Sequence, residues 1–123
     1  MDKSQAIHTF WSQFGLTAYD ENTVPDDAEM PYITYDVGVG SLDDFINLNG
    51  SLWYRSTSWR EISKKAEEIE NAVKGNGYYI SDIDNRGHLF ITAGIPFYQR
   101  MSDPADDMIR RIHFNLNAEF LSK

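Results

Sequence analysis

The 123-residue chain contains no cysteine. Disulfides and thiolate zinc sites are therefore excluded, stability must come from packing, and the composition fits a protein kept in a reducing cytosol. Long apolar runs are missing too. None approaches the roughly 20 residues that a membrane-crossing helix requires. The opening MDKSQAIHTFWSQFG lacks the basic start, continuous apolar stretch and small-residue cleavage site of a signal peptide, so the expected product is soluble and untargeted. The chain also has no internal repeat and no low-complexity segment.

Catalytic signatures are equally scarce. His8, His88 and His113 show no HExxH or His-x-His spacing and no acid at a characteristic interval, which reads as surface or sheet histidines. No serine lies in a nucleophile-elbow sequence, and no phosphate loop is present. Gly38-Val39-Gly40 follows a strand-like run but lacks the third glycine and the helix of a dinucleotide site, so a turn explains it. The segment Asp82-Ile83-Asp84-Asn85-Arg86-Gly87 opens like a calcium loop, yet Arg86 stands at its fifth position and Ala93 where the twelfth needs glutamate. Acids beside a proline in Asp103-Pro104-Ala105-Asp106-Asp107 are typical of turns and helix starts. A small metal-dependent enzyme would have to rely on Asp103, Asp106 and Asp107. The expectation is a chain with no catalytic residues, no metal and no cofactor, which acts by binding other subunits.

Basic residues are in short supply as well, with a net charge of −8. A general nucleic-acid binder needs a clustered basic surface to displace counterions, and the total argues against one. The charge is unevenly placed. Residues 1–54 hold nine acids and only Lys3 as a base, whereas the remainder holds ten of each sign. The acids sit in loop-like stretches at 20–29 and 36–44, where they are either solvated loops that aid solubility or one side of a charged interface.

What is present describes an ordinary domain. Hydrophobic content is 41%, charged content 24%, and aromatic content a rich 14%, in a length suited to a single domain spanning residues 1–123. Ile7, Phe10, Trp11 and Phe14 fall on one helical face, with Ser4 available as N-cap and Gly15 placed to end the helix. A polar loop, 20–31, follows. Tyr32–Val37 and 46–55 alternate apolar and polar residues, predicting two strands of an antiparallel hairpin, the second with Ile46, Leu48, Gly50, Leu52 and Tyr54 inward. Ser58-Trp59-Arg60-Glu61 fits a capping box, and Trp59, Ile62, Ala66, Ile69 and Val73 continue an amphipathic helix that Gly75-Asn76-Gly77 stops. Two short strands, 78–81 and 88–92, form a further hairpin, Gly94-Ile95-Pro96 breaks it, and a long strand alternates from Arg111 to Phe120. The predicted fold is α+β, a mostly antiparallel sheet with two helices packed on one face, in the order α-β-β-α-β-β-β.

The candidate interface residues are Asp43, Asp44, Trp53, Arg55, Phe97 and Arg100. Trp53 and Arg55 stand on the polar face of their strand, and Trp and Arg are enriched where proteins bind one another. The alternative for Trp53 is burial beneath a helix within the fold.

Four stretches, PYITYDV (31–37), SLWYRSTSWREISKKAEEI (51–69), GIPFYQRMSDPADDMIRRIHFNLNAEFL (94–121) and FWSQFGLTAYDENTVP (10–25), resemble small proteins of siphophage and prophage structural clusters. By element order they are similar to tail-terminator or tail-completion proteins. The resemblance covers most of the chain, and its motifs are descriptive rather than catalytic. It implies a subunit of the virion tail, made in the bacterial host cytoplasm, that forms a ring, usually a hexamer. The ring would cap the tail tube and meet a head connector or head-completion protein, with DNA only passing through. It further implies head-to-tail contacts between unlike patches. The acidic stretches would supply one patch, and Arg55, Arg100, Arg110 and Arg111 the other. Some acids, Asp43 and Asp44 among them, would line the lumen, where like charge keeps DNA from sticking. A head–tail joining or minor capsid protein of the same phage module is the nearest alternative.

Overall fold

The computed structural model describes residues 2–37, 45–83 and 87–122. Helix α1 (Lys3–Ser12) starts earlier than Ser4 would place it, because Asp2 caps it. The Asp2 carboxylate accepts from the Gln5 amide at 2.7 Å while the Gln5 side chain accepts from the Asp2 amide at 2.9 Å, so the capping box is Asp–Gln. Ala6, Ile7, Phe10 and Trp11 form its buried face.

The fold has one strand more than the expected order. Residues Ala18–Asp20 form a short β1, parallel to β2 (Tyr32–Val37), with Ala18 beside Ile33 and Asp20 beside Tyr35. Three residues are too few to show an alternation, and Asp20 reads as loop, so the sequence pattern could not mark it. Strand β3 (Phe45–Arg55) pairs antiparallel with β2, the hairpin that alternation predicts. Its connecting residues 38–44, which include Gly38-Val39-Gly40, lie outside the described segments.

Helix α2 (Arg60–Val73) is also capped differently from the prediction. Trp59 occupies the cap position without a side-chain cap bond, and the Ser58 hydroxyl accepts from the Arg60 amide at 3.0 Å instead of the Glu61 amide. The Ser58–Glu61 box is therefore not formed. The apolar stripe is the predicted one: Ile62, Ala66, Ile69 and Val73 are buried.

Strands β4 (Tyr78–Ile83) and β5 (Gly87–Ser102) pair antiparallel, and the calcium-like segment's 84–86 lie outside the described residues. The expected break at Gly94-Ile95-Pro96 is absorbed into β5 as a bulge. Pairing with β6 (Ile109–Ser122) stops at Ala93–Leu116 and resumes at Tyr98–Phe114, so residues 94–97 stand opposite Asn115 alone. Gly94 is required there because a Cβ would come within 2.7 Å of the Asn115 carbonyl oxygen, and the Asn115 amide in turn donates to the Pro96 carbonyl at 2.9 Å. The fold is thus α+β, with a six-stranded, mostly antiparallel sheet in the order β1-β2-β3-β6-β5-β4 and two helices, the element order being α-β-β-β-α-β-β-β.

One sheet face and both helices share a single core. Ile33 and Tyr35 from β2, Leu48, Leu52 and Tyr54 from β3, and Ile112, Phe114, Leu116 and Ala118 from β6 pack with the buried residues of α1 and α2. Trp11 sits at the centre, fully buried, edge-on to Phe10 and 6.5 Å from Phe114 between ring centroids. Among the described residues no helix is long and apolar enough to cross a membrane.

Candidate interaction surface

The alternation that buries one face of the sheet turns a second set of side chains the other way. Cross-strand register assembles them: Tyr32 beside Trp53, Thr34 beside Ser51, Ser51 beside His113, Trp53 beside Arg111, Asn49 beside Asn115 and Asn47 beside Asn117. From β5 come Gln99 opposite His113 and Met101 opposite Arg111. Both helices contribute to the core on the far side, so Trp53 is not held beneath a helix.

Polar groups at the Trp53 end are joined in a chain. The Trp53 indole N–H donates to the Thr34 hydroxyl at 2.8 Å, and the Arg111 guanidinium lies 4.6 Å over the Trp53 ring. Arg111 Nε donates to the Ser51 hydroxyl at 3.1 Å, which is 3.0 Å from His113 Nδ1. Thr34 and Ser51 are buried beneath these larger side chains. Satisfying the buried hydroxyls in this way holds the tryptophan ring and the guanidinium in place. A shallow hollow lies alongside, walled by Trp53, Met101, Arg111 and residues 102–104.

Burial, reinforced by the neighbouring Arg111 charge, holds His113 below its ordinary pKa of 6.5. A depressed folded-state value means that the unfolded chain takes up the proton first. The contribution of His113 is therefore complete above pH 6.5 and is lost as pH falls through the lower folded value. Chemical denaturation at a series of pH values should show stability declining on acidification from that point, and His113→Gln should flatten the decline.

The remaining predicted residues divide between two sides of the sheet. Arg55 lies on the same side as Trp53 and pairs with Asp106 at 2.9 Å, its side chain 55% exposed. Arg100 does not join them: it stands opposite Ile112 on the helix-bearing side, 4.9 Å from the Trp59 ring and 3.4 Å from the Ser63 hydroxyl. Arg110, opposite Tyr54, flanks the same Trp59 ring at 5.4 Å. The basic patch expected from four arginines is therefore two pairs, Arg55 with Arg111 and Arg100 with Arg110, because neighbouring residues on a strand point to opposite faces. Phe97 sits on the β5 bulge, half-buried against Phe114 and Tyr98 with centroids 5.6 and 5.3 Å away. Asp43 and Asp44 lie outside the described residues.

The acids of the candidate metal cluster are engaged with their own loop. Asp103 accepts from the Ala105 amide at 2.8 Å and Asp106 from the Met108 amide at 2.9 Å. The Met108 hydrogen bond first, and Arg55 second, hold Asp106 below the usual carboxylate range. Among the described residues no three His, Asp or Glu side chains gather as metal ligands. In the loop after β1, Glu21, Asp26, Asp27 and Glu29 are exposed, and Glu29 reaches the margin of a hollow that Arg55 also lines.

Nothing in the sequence marks Thr34, Ser51 and His113 as members of one hydrogen-bonded group. Alternation places Ser51 and His113 on polar strand faces, but their meeting across 62 positions of sequence depends on the β3–β6 register. The sequence matches no protein-family model, and a search of curated proteins returns no match.

Proposed function

We propose that the chain is a virion structural protein, a tail terminator whose copies form a ring that caps the tail tube and joins it to the head connector, without catalysing a reaction. The observation that carries this reading is the helix-free face of the sheet, on which Trp53 and Arg111 are held rigidly beside the exposed Arg55. Aromatic and arginine side chains with their polar atoms already satisfied are the type that dominates protein–protein contacts. The loop 20–29 adds exposed acids of opposite sign, Glu29 among them at the hollow that Arg55 also lines. The resemblance of most of the sequence to tail-completion proteins of phage clusters supplies the particular role. Partners in this reading are further copies, the tail tube protein and the head connector, with DNA passing through the lumen. The protein would be made in the host cytoplasm and end in the virion tail.

Electron microscopy of particles lacking the protein tests the role. Overlong tails are the expected result. Headless tails of normal length would replace the terminator reading with that of a head–tail joining protein, and intact particles would remove both.

A further inference from the structure

Strand register brings two guanidinium groups together on the helix-bearing side of the sheet. Arg100 stands opposite Ile112, and Arg110 lies two residues from Ile112 on β6, so the pair are diagonal neighbours on one face of the β5–β6 ladder. Both side chains reach the same indole ring. The Arg100 guanidinium lies 4.9 Å and that of Arg110 5.4 Å from the centre of the Trp59 ring. An aromatic face attracts each cation, but it carries no net charge with which to offset the repulsion between them.

The groups that hold the two arginines are neutral as well. Arg100 donates to the Ser63 hydroxyl at 3.4 Å, and Arg110 donates to the backbone carbonyls of Asp107 and Thr57. Neither is ion-paired with a carboxylate among the described residues, and Nε of Arg110 is buried without an acceptor. The other side of the sheet differs. There Arg55 has Asp106 at 2.9 Å as its counter-charge. Two like charges fixed side by side without such a partner draw an anion from outside the chain.

We propose that Arg100 and Arg110, together with the Ser63 hydroxyl, bind a phosphate group beside Trp59. Arg100 is exposed, and its contacts with Trp59 and Ser63 leave other N–H groups for the ligand, so the side chain binds from where it already stands. The Ser63 hydroxyl accepts from Arg100, which frees its own proton for an anion. A carboxylate brings two oxygens and a single charge, which one guanidinium fork satisfies. A phosphate dianion brings three strong acceptor oxygens and a double charge, which match two guanidinium groups and a hydroxyl. The ligand is the phosphate group, as the free ion or as a phosphomonoester. It binds the free chain, and nothing in this site rests on the ring reading.

The three tryptophans, only one of them at the site, serve as reporters. In an NMR titration of the full chain with inorganic phosphate, at constant ionic strength and above neutral pH, the Trp59 indole N–H resonance should move saturably. Those of Trp53 and Trp11 should stay in place. Arg100→Gln and Arg110→Gln should each weaken binding by about tenfold or more, whereas Lys74→Gln, at the far end of α2, should leave it unchanged. Because Arg100 is exposed, its variant remains informative if loss of the Arg110 carbonyl contacts unfolds the chain. The site is overturned by the absence of saturable movement at Trp59, by equal movement at Trp53, or by full affinity in a folded Arg100→Gln. Equal affinity for acetate would overturn the choice of phosphate. Glycerol 3-phosphate separates the two sources: tighter binding than inorganic phosphate assigns the site to a phosphomonoester, and binding no tighter assigns it to the free ion. Tail length in particles is a separate readout, so failure of the site and failure of the terminator reading are distinguishable.

Discussion

Gly50→Val is expected to lower the thermal midpoint by on the order of 10 °C, the cost of overpacking a core position by about 3 kcal/mol. A Cβ at Gly50 would meet the Trp11 ring at 2.5, 2.6 and 3.0 Å, all on rigid ring carbons that cannot swing aside. β3 and α1 thus approach each other through a tryptophan laid directly on glycine backbone. Thermal unfolding followed by circular dichroism measures the loss. Trp11→Leu alone should also destabilise, by about 3 kcal/mol for the cavity it leaves. Combined with Gly50→Val it should cost clearly less than the sum, with a coupling of about 1 kcal/mol or more, because shortening residue 11 makes room for the side chain added at 50, which in turn fills the cavity. Strict additivity would show that the ring does not rest on Gly50.

On the tail-terminator proposal, Trp53→Ala is expected to weaken binding to tail tubes at least tenfold, corresponding to the ~1.4 kcal/mol or more that a central aromatic contact contributes. Stability should fall by no more than about 2 kcal/mol, since the ring is only half-buried. The variant removes the donor to Thr34 and the surface on which Arg111 lies. Trp53→Phe, which keeps a ring but not the indole N–H, should fall between the two. Co-sedimentation with purified tail tubes, alongside chemical denaturation, separates binding from folding. Unchanged co-sedimentation of a folded Trp53→Ala would remove this face from the interface.

Much of the element structure is legible in the sequence, because helices and strands leave local periodicities. Ile62, Ala66, Ile69 and Val73 mark the buried stripe of α2, and Leu48, Leu52 and Tyr54 the buried side of β3, as their spacing indicates. Capping is less legible. Ser58 and Glu61 have the right spacing for a capping box, but the Ser58 hydroxyl accepts from Arg60 instead and the helix starts at Arg60. β1 leaves no signal because its three residues owe their strand conformation to β2, not to a pattern of their own. The cluster at Gly94-Ile95-Pro96 reads as a break, yet Asn115 on the neighbouring strand holds it as a bulge inside β5.

For the candidate surface the limits are of the same kind. The residue types of Trp53 and Arg55 make them candidates for an interface, and alternation places both on the polar side of β3. Uncovering that side is a property of the assembled molecule, since both helices enter the core on the opposite face. The division of the arginines likewise follows from strand geometry: Arg110 and Arg111 are adjacent in sequence and point to opposite sides, one to Trp59 and the other to Trp53. Local order along the chain is thus sufficient for the α+β class, for most helices and strands and for the lack of a familiar catalytic motif. Register, the bulge, the parallel β1 and the open Trp53 face arise only when distant strands pair, because a strand's hydrogen-bonding partners and neighbours across the sheet are not encoded in its own alternation.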